Sequence, residues 1–143
     1  MVKFVQEPGL EVHANQMDDS FSIRNTTKGK LPSLPFRQIK DAILGKKYSL
    51  SLVFIGDRRS KILNTKYKGK STPTNILSFP LSDTEGEIFI TPSVAEKQAH
   101  KFSKTKKQMV GYLFIHGLLH LNGMHHSSKM EQAEKKFCKK FNF

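Results

Sequence analysis

The sequence predicts a mixed α and β domain, and three observations carry that reading. A segment with strand-like alternation, Tyr48 to Ile55, lies before the middle of the chain. Two further short strand segments, joined by a turn-rich stretch, follow it. The last third is helical, with a capping signal at each helix start.

Taken in order, residues 10–15 and 20–25 are strand or loop candidates. Pro35 suits the first position of a helix that runs to about Leu44 and ends at Gly45. Tyr48 to Ile55 (YSLSLVFI) alternates and becomes β-branched at its end, as a strand does. Residues 58–67 read as a short helix. Thr74 to Phe79 and Glu87 to Thr91 read as strands, with Pro80 to Gly86 as the turn between them, which favours an antiparallel hairpin or meander. Thr91 is a good N-cap, with Pro92 at the first helical position. Thr105 with Gln108, and Ser128 with Glu131, have the spacing of capping boxes. Helices near 92–103, 105–122 and 128–141 follow, giving five in all. The middle one is apolar almost all round from Met109 to Leu121, so it is expected to be the buried central helix.

The chain has 143 residues, room for a single domain over residues 1–143. At 37% hydrophobic and 10% aromatic it can bury a real core. One cysteine, Cys138, excludes an intramolecular disulfide framework and fits a reducing cytosol, so a cytoplasmic location is expected. The longest apolar stretch, Met109 to Leu121, is broken by Gly111, His116, Gly117 and His120, and is too short for a membrane span of about 20 residues. Glu7 and Glu11 stand where a signal peptide would carry an apolar segment.

There are 24 basic side chains and 12 acidic ones, so the net charge is 24 − 12 = +12. That points to a polyanionic partner, with nucleic acid the first candidate. A lysine-rich solvated surface is the alternative reading of the same charge. The basic residues cluster in three groups: Arg58, Arg59, Lys61, Lys66, Lys68 and Lys70; then Lys97, Lys101, Lys104, Lys106 and Lys107; then Lys135, Lys136, Lys139 and Lys140. The last two groups read as the wet faces of helices. The first is expected to lie beside the chemistry and to form one wall of a groove.

The chemistry is carried by H-x-x-x-H-x-x-G-x-x-H, from His116 through His120 and Gly123 to His126. At 3.6 residues per turn, His116 and His120 share one helix face, roughly 6 Å apart along the axis. Two imidazoles so placed can chelate one ion. Gly123 allows the left-handed turn that ends a helix and brings the chain back. A single histidine on an apolar face is usually a satisfied core residue, but three at this spacing with a glycine at the bend point to a metal site. The ten-residue offset from His116 favours His126 over the adjacent His125 as the third ligand. Three neutral imidazoles leave an open coordination position, the catalytic pattern. Zinc is the default, one ion per chain, and nickel, copper or iron also suit imidazole. The metzincin proteases share the spacing but place a Glu after the first histidine as general base. Here that position is Gly117, which argues against a peptidase.

These residues resemble a known family. H-G-L-L-H-L-N-G-M-H-H (His116 to His126) is similar to the signature H-G-x-L-H-L-x-G-x-D-H of the YbeY family, bacterial endoribonucleases of ribosomal RNA maturation. T-N-I-L-S-F-P (Thr74 to Pro80) resembles that family's T-[DN]-V-L-S-F-P, L-N-T-K-Y-K (Leu63 to Lys68) its L-N-x-x-Y-R, and Gly86 to Ile90 its G-D-I-x-I strand. The blocks fall in the family's order over roughly residues 48–130. The resemblance implies a small α+β fold with a mixed sheet of about four strands. It implies a metal, usually zinc, held by His116, His120 and His126. It also implies single-strand-specific cleavage of RNA in maturation of the three-prime end of small-subunit rRNA and in ribosome quality control. The expected partners are single-stranded RNA and the small ribosomal subunit, with no membrane and no DNA. Two positions depart from the family: His125 stands for its Asp and Lys68 for its Arg. Lysine keeps the charge but loses bidentate phosphate recognition.

The expected reaction is metal-assisted phosphodiester hydrolysis, with His116 and Lys68 as the catalytic residues and Lys68 stabilising charge on the phosphate. Exposed Phe or Tyr side chains are candidates to stack bases. A ribosome-assembly RNA-binding module with a structural metal is the alternative, and a metallopeptidase a more distant one.

Overall fold

The structure, a computed structural model, describes residues 20–143. The elements run β1 (Phe21–Asn25), α1 (Phe36–Leu44), β2 (Ser49–Phe54), α2 (Asp57–Lys68), β3 (Ile76–Ser82), β4 (Glu85–Ile90), α3 (Pro92–Lys101), α4 (Lys106–Leu121) and α5 (Ser128–Phe141). The four strands form one mixed sheet in the order β1-β2-β4-β3. β1 and β4 both pair parallel with β2, and β3 pairs antiparallel with β4 at the sheet edge. This is an α+β fold with the expected hairpin, β3–β4. The strand candidate at 20–25 is β1; the one at 10–15 lies outside the described residues.

Alternation along the strands sends side chains to two faces. Leu50, Leu52, Phe54, Ile88 and Ile90 join Phe36 and Ile39 of α1 and Val110, Phe114, Ile115 and Leu118 of α4 in the larger core cluster. Val53, Ile55, Leu77, Phe79 and Phe89 meet Leu63 of α2 on the opposite face. The α4 helix is the expected buried central helix: nine of its sixteen residues are buried, and it packs on β3, β4, α1, α3 and α5. Burying a Leu or Phe side chain contributes about 1.5–3 kcal/mol each, so this helix is fixed from several sides. Among the described residues no helix is long and apolar enough to cross a membrane.

Three local expectations need correction. The stretch from Pro80 is not all turn: β3 continues through Pro80 to Ser82, and the connection to β4 is tight. Proline is tolerated there because β3 is an edge strand, and the register shifts between Pro80 and Ser82. The cap of α5 is Ser127, whose hydroxyl accepts from the Met130 N–H, so the box of Ser128 with Glu131 does not form. Thr91 occupies the N-cap of α3 with Pro92 behind it, but its side chain makes no capping bond. The box of Thr105 with Gln108 forms in full, each side chain meeting the other's backbone N–H.

Candidate metal centre

The sequence places His116 and His120 on the half-exposed stripe of α4, one turn apart. The helix ends at Asn122, and Gly123 follows with φ of 91°, in the left-handed region. There the Gly123 and Met124 N–H groups donate to the carbonyls of His120 and Leu119, closing the helix end. The turn carries His126 back over the helix. Ring centroids then lie 4.6 Å apart for His116 and His120, 4.7 Å for His120 and His126, and 5.2 Å for His116 and His126. One nitrogen from each ring falls within 4.8 Å of the other two. His125, adjacent in sequence, is outside this triangle but lines the same cavity.

The two helical rings are held by their far nitrogens. Nδ1 of His120 is 3.0 Å from the Met124 carbonyl, and Nδ1 of His116 bonds the carboxylate of Glu134 on α5. Each partner is a hydrogen-bond acceptor, so each ring donates its Nδ1–H and turns its Nε2 toward the cavity. The two Nε2 atoms are 3.1 Å apart. Tetrahedral Zn–N bonds of about 2.0–2.1 Å put ligand nitrogens about 3.3–3.4 Å apart, so the donor set fits one ion of that kind. Burial, and next the neighbouring His116, lower the His120 pKa, outweighing the opposing effect of the Met124 carbonyl. The ring therefore stays neutral near pH 7, the form a metal ligand requires.

Glu134 is the residue that sequence reasoning missed. It is buried, 7% exposed, and comes from a different helix, 18 residues from His116. A signal was present: Met130, Glu134, Phe137, Cys138 and Phe141 fall on one apolar stripe of α5, so Glu134 is an acid on a core-facing side. Tyr112, one turn before His116, lies in the electrostatic reach of Glu134. Burial first, then the charge of Glu134, hold the Tyr112 hydroxyl above its usual pKa, so it stays a donor. Glu134 thus orients the Nε2 of His116 from behind.

The rings open into a cavity of about 580 Å³ whose opposite wall includes Lys68, Asn75, Ser78 and Pro80. Lys68 is exposed at the C-terminal end of α2. Of the first basic group only Lys68 lines this cavity, which narrows the expected wall. Arg58 and Arg59, ten and nine residues earlier, stand roughly 15 Å up the axis of α2. Gly117, at the position of the metzincin Glu, is packed under the sheet. A Cβ there would meet Ile76 Cδ1 at 2.7 Å and Ser78 Oγ at 2.8 Å. A carboxylate side chain there would have to push aside the side chains of Ile76 and Ser78.

Fold and cavity together define a small α+β protein with the donor set of a single-metal hydrolytic centre. The sequence profile of the family described as Endoribonuclease YbeY matches residues 14–142, and the chain belongs to that family of endoribonucleases. It is 40% identical over 93 residues to an Endoribonuclease YbeY of Thermodesulfovibrio yellowstonii, a match spanning 60% of this chain and 58% of that relative. It is 32% identical over 118 residues to the Petrotoga mobilis one, spanning 80% of this chain and 82% of the relative. In structure it is similar to the solution structure of TM1509 from Thermotoga maritima, with a TM-score of 0.59, 27% identity, and 82% and 85% of the two chains covered.

Proposed function

We propose that the chain is a metal-dependent, single-strand-specific endoribonuclease, a single catalytic domain that acts in the cytoplasm. Its proposed task is maturing the three-prime end of small-subunit rRNA and checking assembled ribosomes. The observation that supports it best is the convergence of three imidazole donors on one cavity that a lysine lines from across the sheet edge. His116, His120 and His126 would hold the ion, zinc being the default. When bound, such an ion polarises a phosphoryl oxygen and lowers the pKa of a water toward about 7.

The chain's own residues do the rest. Glu134 and the Met124 carbonyl keep two imidazoles in the ligating tautomer, which removes reorganisation at the moment of reaction. Lys68 places a positive charge where a phosphodiester would sit, and stabilises the charge that develops there. The edge position of β3 leaves one side of the cavity open to an extended strand.

The test is cleavage of single-stranded RNA by His116→Ala and Lys68→Glu, with metal content measured on the same preparations. His116→Ala is expected to lose metal and cleavage together, and Lys68→Glu to keep the metal while losing at least about tenfold in rate. Both variants cleaving at the parent's rate would overturn the reading. Metal lost without loss of cleavage would make the ion structural, as in an assembly module.

A further inference from the structure

The metal cavity does not end at the histidines. Asn75 lines it and also lines a second cavity of about 450 Å³ with Gln98, Phe102, Lys104 and Tyr112. Lys104 and Tyr112 in turn line a third, of about 720 Å³, whose far rim carries Lys135, Lys139 and Phe143. The three depressions share walls and so follow one another along the same side of α4. Four half-exposed positions of that helix, Gln108, Tyr112, His116 and His120, recur every four residues. Each step advances roughly 6 Å, so the stripe that carries the metal-site rings continues backward into the second cavity.

Phe102 stands in this path. It is 65% exposed, the most exposed large hydrophobic side chain among the described residues. A single exposed apolar residue needs no explanation by itself. Its setting is what matters. The other exposed ones, Ile23 and Ile62, lie on β1 and α2, so Phe102 is not part of an apolar patch with them. Phe102 caps α3, and the chain then turns through Ser103 at φ 52°, with the Lys104 N–H bonded to the Ala99 carbonyl at 2.9 Å. The ring is therefore presented by a fixed turn. Lys104 lies over the Tyr112 ring, its Nζ 4.9 Å from the centroid, and Lys135 and Lys139 continue the positive charge. The acids lining these cavities are Glu131 and Glu134, and Glu134 is committed to His116. An exposed aromatic ring followed by a line of cations is the equipment for single-stranded nucleic acid.

We propose that Phe102 is a base-stacking platform for the RNA strand, and that the strand leaves the metal cavity over Asn75 with its phosphates following Lys104 toward Lys139. This rests on the endoribonuclease reading and gives it a direction: the substrate path runs back along α4 and not up α2. The lysines of the last helix, expected to be plain surface, then belong to the groove.

The chain contains no tryptophan, so Phe102→Trp places a single, selectively excitable indole at the proposed platform. The experiment titrates a 2′-O-methyl dodecanucleotide, shown by gel electrophoresis to stay intact during the titration, into Phe102→Trp with metal bound. End-label anisotropy on the same samples reports binding. Quenching that tracks the anisotropy is expected. Phe102→Ala and Phe102→Leu are expected to weaken binding about tenfold, and Phe102→Tyr to retain it. Charge reversal in Lys104→Glu is expected to weaken binding and to reduce its salt slope. Emission that stays constant while anisotropy saturates, or Phe102→Leu binding as well as the parent, would overturn the platform while leaving the nuclease reading intact. A parent that neither binds nor cleaves single-stranded RNA would overturn both.

Discussion

The two faces of the sheet are built differently. The face toward α4 is sealed: Leu50, Leu52, Phe54, Ile88 and Ile90 meet an almost wholly apolar helix. The face toward α2 has a smaller apolar cluster and admits polar groups. Ser51 lies in register with Glu87, and Arg24 with Val53, on that second face. Ser51 Oγ and Arg24 Nη1 are buried there with no hydrogen-bond partner among the described residues. The difference teaches where rigidity is placed. The helix that carries the histidines is held by dense packing and by Glu134, whereas α2 contributes only its last turn, at Lys68, to the same cavity.

The largest effects are expected from removing a group on the α4 side. His120→Ala should lower RNA cleavage by at least about a hundredfold and release the metal, read by single-turnover kinetics and metal analysis. Glu134→Ala should weaken metal affinity by about 10–100-fold, as loss of a carboxylate behind a ligating histidine does, while Glu134→Gln, whose carbonyl still accepts from Nδ1–H, should keep most of it. Competition with a chromophoric chelator reads both. Unchanged affinity in Glu134→Ala would mean that the carboxylate does not orient His116.

Packing gives the next contrast. Gly117→Ala forces a methyl group against Ile76 and Ser78, and should cost about 1–3 kcal/mol in thermal or denaturant unfolding. Ser51→Ala on the other face removes a buried hydroxyl that has no partner, and should be neutral or slightly stabilising. If the two substitutions cost the same, the asymmetry of the faces is wrong.

The smallest effect concerns Glu87. Burial, and next the charge of Glu85, raise its pKa to about 7. The folded state therefore holds a proton that the unfolded chain releases near 4.5, so stability from this group is present below that value and is lost as pH rises toward 7. Glu87→Gln should accordingly raise Tm at pH 8 and raise it much less at pH 5. A rise in Tm at pH 5 as large as that at pH 8 would contradict this.

Much of this was legible in the sequence because it is local. Helix starts show as Thr105 with Gln108 or as Pro92, and the histidine triangle shows as spacing plus Gly123, since a turn of α-helix has a fixed period. What was not legible depends on partners distant in the chain. Glu134 meets His116 only because α5 folds back across α4, and nothing in the local pattern of α5 says which residue its acid will face. β3 runs through Pro80 because it is an edge strand, a property of sheet order and not of the segment. The cap of α5 falls on Ser127 and not Ser128 because two adjacent serines offer the same chemistry. The groove toward Phe102 depends on exposure, which composition does not report.

On this reading His116, His120 and His126, and not His125, make one metal centre that cleaves RNA. The most direct test is metal content per chain together with single-stranded RNA cleavage, on the parent, His125→Ala and His126→Ala purified side by side. The expected result is one ion per chain and cleavage in the parent and in His125→Ala, with both lost in His126→Ala. Metal and cleavage retained in His126→Ala but lost in His125→Ala would contradict it.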